Sequence, residues 1–210
     1  ITNPPFSLFK EFINWVTEGD CMFSIIGNMN SVNLKSFFPL IQKNKVWLGY
    51  SISSGDREFR VPENYPLNAA GSRIDDEGNK YVRVKGVRWF TNIPHGKRHE
   101  PLSLMTKADN ERFNKKIIKN PDSYRKYDNY DAIEVPSTNA IPSDYKGTMG
   151  VPITFLDKFC PEQFEIVSMY KNGKEIIAPG LDGWHIDGKR KYARIFIKHK
   201  NPESSPENPS

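Results

Sequence analysis

At 210 residues, with 37% hydrophobic and 12% aromatic content, the chain has the composition of a globular protein able to bury a core. No apolar run approaches the eighteen or so residues of a membrane span, and no basic-then-apolar leader opens the chain, so a cytoplasmic protein is expected. Cys21 and Cys160 lie too far apart for a disulfide framework or a metal-ligand pair, and the net charge of +5 acquires meaning only through its distribution.

In chain order, Ile1 and Thr2 read as the end of a strand that Pro4 and Pro5 must stop. SLFKEFINWVTEG then sets Leu8, Phe9, Phe12, Ile13 and Val16 on one helical face, with Ser7 as N-cap and Gly19 beyond the end. Residues 22–27 (MFSIIG) predict a buried strand, LKSFFPLIQKN a helix confined by Pro39, and residues 45–50 (KVWLGY) another strand. This β-α-β-α-β alternation implies a parallel sheet covered by helices. Beyond Ser51, short runs punctuated by Gly, Asp, Asn and Pro give hairpin signals, including Asp187-Gly188. Residues 106–120 read as a polar helix or a loop, and NPESSPENPS as a disordered tail.

The positive charge is clustered. GKRKYARIFIKHK (188–200) contains no acid, and between His95 and Tyr130 nine Lys or Arg face five acids, with Tyr124, Tyr127 and Tyr130 interleaved. Basic residues among aromatics suit phosphates and bases, solvated faces being the alternative. Lys97, Arg98, Arg125, Lys126, Lys189, Arg190 and Lys191 are the candidates for contact with duplex DNA. His95 and His99 in HGKRHE could suggest a metal, but Pro94 and Gly96 argue for a loop and no third ligand is evident. Asp128, Asp131 and Glu134 could be paired carboxylates, although a turn leading into an alternating strand accounts for them. No metal is expected.

Asn3-Pro4-Pro5-Phe6 stands where a strand ends and a helix soon begins, the position at which open α/β sheets bind ligands. The pattern resembles the motif of methyltransferases that act on exocyclic amino groups. An aromatic amine is a poor nucleophile because its lone pair is delocalised into the ring. The Asn3 side-chain oxygen and the Pro4 carbonyl are close enough in sequence to accept its two N–H bonds and localise that pair. Phe6 would stack on the extruded base. A Pro-Pro turn with a packing Phe is the structural alternative.

With NPPFSLFKEFI come IIGNMN, FFPLI, KVWLGY, VRWFTN, KYDNYDAIEV and MGVPITFLDKFCPEQFEI. Together, over residues 3–170, these strings resemble the EcoRI-type adenine-specific DNA methyltransferases of restriction-modification systems. The resemblance implies an S-adenosylmethionine-dependent, nucleoid-associated enzyme of α/β class. Its fold would be an incomplete Rossmann-like sheet followed by a β-rich DNA-recognition region. Residues 1–105 would form the C-terminal half of the catalytic domain, 106–200 the target-recognition region and 201–210 the tail. Asn3, Pro4, Pro5 and Phe6 match the catalytic motif, Asn3 also facing the cofactor. Trp89 and Phe90 are candidates for edge contacts to the flipped base, ordinary hairpin core being the other reading.

The family's glycine-containing cofactor loop precedes this motif and has no counterpart here, since Gly180, Gly183 and Gly188 read as turns. The chain is thus expected to be a C-terminal fragment, inactive by itself and self-associating through a truncated sheet and the helix 7–18. The alternative is a non-catalytic, sequence-specific DNA-binding module.

Overall fold

The computed structural model describes residues 1–50, 56–67, 71–171, 174–175, 184–191 and 193–204. Gly180, Gly183 and the tail beyond residue 204 lie outside them. The chain divides into two compact units, Ile1–Val32 with Val46–Ile93, and Asn33–Lys45 with Pro94–Ser210. The boundary after Ile93 precedes the expected break at 105, and residues 33–45 join the second unit. Among the described residues, no helix is long and apolar enough to cross a membrane.

In the first unit, Pro5 (ψ 130°) leads into a 3-10 turn, Phe6–Leu8, and then helix α1, Phe9–Glu18. Ser7 lies inside that turn and caps nothing, which corrects the expected N-cap. Strand β1 (Ser24–Asn28) is bridged in parallel by Thr2, whose N–H donates to the Ser24 carbonyl at 3.1 Å and whose carbonyl accepts from Ile26 at 3.1 Å. Strand β2 shrinks to Trp47–Leu48. The small strands β3 (Arg57–Val61), β4 (Arg73–Ile74) and β5 (Lys80–Val84) form a separate antiparallel sheet in the order β3-β5-β4. Strand β6 (Val87–Thr91) lies between β1 and β2, antiparallel to both. Thr2, β1 and β2 therefore run in one direction, but the expected all-parallel sheet is interrupted by a reversed strand.

Helix α1 packs on this sheet through Phe9, Ile13 and Val16, all buried. Phe9 rests 5.3 Å from Phe90, ring centre to ring centre, and over Gly27, where a Cβ would meet the Phe9 Cδ2 at 2.9 Å. Only glycine permits that approach. The exposed patch expected from Leu8, Phe9, Phe12, Ile13 and Val16 is thus not formed as such. Three of the five are core, whereas Leu8 and Trp15 are exposed.

In the second unit, α2 (Phe38–Gln42) carries Pro39 in its first turn, where proline's fixed φ is favoured, and is followed by α3 (Lys107–Phe113) and α4 (Lys115–Ile118). Strands β7 (Lys126–Tyr127), β8 (Tyr130–Glu134), β9 (Thr148–Val151), β10 (Phe164–Lys171), β11 (Lys174–Glu175) and, later in the chain, β14 (Ile195–His199) build a six-stranded sheet. Its order is β11-β10-β14-β9-β8-β7, parallel only between β8 and β9. The hairpin β12 (His185–Ile186) and β13 (Lys189–Arg190) turns at Asp187-Gly188, both at positive φ (51° and 68°), as its Asp-Gly pair requires. Trp184 fills the core between Tyr130 (4.5 Å) and Phe196 (4.4 Å). At the sheet's buried ionic centre, Glu134 (2% exposed) accepts from the Tyr127 hydroxyl and from Arg194, whose Nη2 lies 2.5 Å away. Burial, with the Glu134 carboxylate beside it, pushes the Tyr127 phenol far up.

Candidate active site

Asn3 leaves the Thr2 bridge at its carboxyl end. It is exposed, Pro4 is buried, Pro5 is exposed and Phe6 is half-buried. The Pro5 carbonyl is used, accepting from the Leu8 N–H at 2.9 Å. Among the described residues, no hydrogen-bond partner takes the Asn3 side chain or the Pro4 carbonyl, so both keep acceptor lone pairs unspent, Asn3 at an exposed residue and Pro4 at a buried one. Their placement is rigid: two prolines fix the backbone, and α1, whose first turn follows directly, is held by Phe9 against the sheet.

The neighbouring strand end is tied down differently. Asn28, last in β1, donates from Nδ2 to the Lys85 carbonyl (2.8 Å) and accepts at Oδ1 from the Asn30 N–H (2.9 Å). The Met29 N–H reaches the Gly86 carbonyl at 2.7 Å. These bonds clamp the β5–β6 turn to the end of β1. Sequence reasoning passes over Asn28, although an asparagine closing an apolar strand is the available signal.

Phe90 is fully buried between α1 and the sheet, so it has no face for a base to meet, and the core reading replaces the proposed edge contact. Trp89 alternates to the opposite side of β6 and is half-buried; its Cβ lies 2.7 Å from where a Cβ on Gly49 would sit. The space at these two glycines is thus taken, at Gly27 by the Phe9 ring and at Gly49 by the Trp89 Cβ. Neither is open as a phosphate or cofactor cradle.

The comparison with known proteins covers nearly the whole chain. Residues 1–200 match the family described as adenine-specific methyltransferase EcoRI. The chain belongs to that EcoRI adenine-specific methyltransferase family. It is similar to the Type II methyltransferase M.EcoRI of Escherichia coli, at 44% identity over 95% of this chain and 57% of that protein. It also resembles M.MpnI of Mycoplasma pneumoniae (32% identity, 95% of this chain, 63% of the relative). A third relative is M.MgeORF184P of Mycoplasma genitalium (35%, 94% and 63%). The chain therefore spans about 57 to 63% of the length of these EcoRI-family relatives. No solved structure matches it.

The basic candidates all fall in the second unit, and most are neutralised there. Lys97 bonds Glu100 at 2.6 Å, Arg125 is paired with Asp187, Lys126 with Asp131 at 3.1 Å, and Lys191 with Asp122. The Lys191 ammonium holds the Asp122 carboxyl below its usual range. Arg98 is buried, and desolvation lowers its guanidinium's affinity for the proton. Lys189 and Arg190 are exposed on β13. His99 bonds the Glu162 carboxylate through Nδ1 at 2.9 Å, and no group of three or more His, Cys, Asp or Glu among the described residues is placed to hold a metal ion. The three acids that could have formed a carboxylate pair are each engaged elsewhere. Asp128 accepts from the Asp187 and Gly188 N–H groups of the hairpin turn, Asp131 pairs with Lys126, and Glu134 lies in the buried cluster.

Proposed function

We propose that the chain carries the amine-activating part and the DNA-reading part of a DNA adenine-N6 methyltransferase that uses S-adenosylmethionine. The observation that carries this reading is the pair of unspent acceptors, the Asn3 side chain and the Pro4 carbonyl, fixed at the carboxyl end of the Thr2 strand. Two acceptors aimed at the N–H bonds of an exocyclic amine draw its lone pair out of conjugation and turn it toward an electrophile. Phe6, half-buried beside them, supplies a face for the extruded base. The first unit is read as part of a Rossmann-like sheet, supported by the common direction of Thr2, β1 and β2. The second, with its six-stranded sheet, is read as the recognition region.

S-adenosylmethionine would supply the electrophilic methyl group. Gly27, occupied by the Phe9 ring, and Gly49, occupied by the Trp89 Cβ, offer it no cradle, and the turn after Thr2 is closed by prolines. The second reading, supported by the six-stranded sheet of the second unit and the exposed Lys189 and Arg190, is a sequence-specific DNA-binding module without catalysis.

The test is methyl transfer to duplex DNA by the protein expressed from its complete gene. Asn3→Ala should reduce the rate by about 100- to 1,000-fold while duplex binding is retained. A variant within about threefold of the native rate would remove Asn3 from the chemistry. Tight duplex binding with no transfer by the native protein would leave the binding-module reading.

A further inference from the structure

The basic residues that stand out in the sequence are largely spent on ion pairs within the second unit, but α3 and α4 behave differently. Lys115, Lys116 and Lys119 are exposed, and among the described residues none of them is held in an ion pair. Arg112 is exposed beside them, its guanidinium 5.0 Å over the Phe113 ring. Phe113 and Ile118, 59% and 60% exposed, stand among these cations instead of entering the core. The acids on the same element are engaged locally: Asp109 accepts from the Thr106 hydroxyl at 2.8 Å, and Glu111 lies 3.6 Å from Lys107.

This surface is built and anchored. Asn110, fully buried, donates from Nδ2 to the Met105 and Thr106 carbonyls and accepts from the Asn114 amide at 2.8 Å. Asn114 caps α4 by accepting from the Lys116 N–H at 3.1 Å and reaches the Asn139 carbonyl at 3.3 Å. The Thr106 hydroxyl caps α3, and the Lys107 N–H donates to Asp144 at 2.8 Å. Only Asn110 of α3 and Ile117 of α4 are buried. An element fixed by buried amides while its cations and apolar side chains point outward presents a surface to something else.

We infer that α3 and α4 form a duplex-DNA contact, in which Arg112, Lys115, Lys116 and Lys119 neutralise phosphates while Phe113 and Ile118 meet the sugar or base-methyl surface between them. The inference deepens the proposed function and rests on it for the choice of DNA. Phosphates are the complement of an unneutralised cation row, and apolar contact to thymine methyls and sugars is a normal part of groove recognition.

The experiment measures binding of the full chain to a duplex oligonucleotide across a salt series. Each lost phosphate contact lowers the slope of log K against log salt by about 0.9. Lys115→Gln/Lys116→Gln/Lys119→Gln should therefore flatten the slope by about 2 to 3 and weaken binding at least about tenfold near 0.1 M salt. Lys97→Gln and Lys126→Gln, whose charges are already paired, should leave the slope nearly unchanged. All five side chains are exposed, so thermal unfolding should not move. A triple variant with native affinity and slope overturns the inference, and so does a native chain that binds phosphatidylserine vesicles through these lysines but not the duplex. If methyl transfer by the complete protein is intact while the triple variant binds like the native chain, this inference fails and the proposed function stands. If duplex affinity depends on the lysines in a protein that transfers no methyl group, the inference stands and the proposed catalysis fails.

Discussion

Asn3 in the first unit and Glu134 in the second are both polar side chains at the ends of strands, and they meet opposite fates. Glu134 is 2% exposed, and its carboxylate is consumed by Arg194 and by the Tyr127 hydroxyl. Asn3 is exposed, and nothing among the described residues takes its side chain. A buried carboxylate with every lone pair answered stiffens a sheet but can offer little to a substrate. An amide held by rigid neighbours, with its own oxygen unspent, costs the fold little and is available for recognition. The difference separates scaffold from proposed site more sharply than residue type does, since the sequence shows several acids and asparagines at strand ends.

The comparison breaks first at Glu134. Glu134→Ala strands the Arg194 charge, whose side chain is only 15% exposed, and should cost about 3 to 5 kcal/mol in urea unfolding. A loss under about 1 kcal/mol would mean that the cluster is not structural. Asn3→Ala should show the reverse pattern, an unchanged unfolding midpoint with a rate loss equivalent to roughly 3 to 4 kcal/mol. Comparable destabilisation in both variants would erase the contrast. A smaller effect sharpens it: Gly27→Ala pushes a methyl into the Phe9 ring and should cost about 1 to 3 kcal/mol by displacing α1. Because only the 3-10 turn Phe6–Leu8 joins the proline pair to α1, methyl transfer should fall with it.

The smallest effect is a pH dependence at His199. Burial lowers its imidazole below the ordinary value of 6.5, and Nε2 sits 2.8 Å from the Pro142 carbonyl. The unfolded chain binds the proton more readily than the folded one, so stability is complete above pH 6.5 and declines as pH falls from there through the lower folded value. His199→Gln should flatten that limb of the curve in urea titrations, and an unchanged curve would remove His199 as its source.

The elements that can be read from the sequence are those that local physics decides. The period of Phe9, Ile13 and Val16 yields α1, Pro39 marks the start of α2, and Asp187-Gly188 marks its hairpin. The Asn-Pro-Pro-Phe turn is visible because prolines act on their own backbone. What escapes is set by pairing at a distance. The reversal of β6 between β1 and β2 depends on registers joining Ile25 to Phe90 and Leu48 to Phe90, which no local period encodes. The basic residues mislead for a related reason. Arg125 meets Asp187 and Lys191 meets Asp122 from 62 and 69 residues away, so charges that look free along the chain are neutralised in space. The lysines of α4 belong to the basic cluster between His95 and Tyr130 but are not named among its DNA candidates, because their segment reads only as a polar helix or loop.

The interleaving of the two units sets a timetable for synthesis. Every residue of the first unit has been made once Ile93 is added, whereas residues 33–45, already made, belong to the second. The Gln42 amide finds its acceptor, the Val167 carbonyl, only 125 residues later in the chain. At translation rates of roughly 5 to 20 residues per second that interval is about 6 to 25 s. Through it the ribosome carries Phe37, Phe38 and Ile41, side chains at most 3% exposed in the finished protein, without the strand that α2 will pack against. Nor can the gene be cut once to free either unit intact, because a product beginning at residue 94 leaves β10 without α2, and one ending there retains α2 with no β10 to meet.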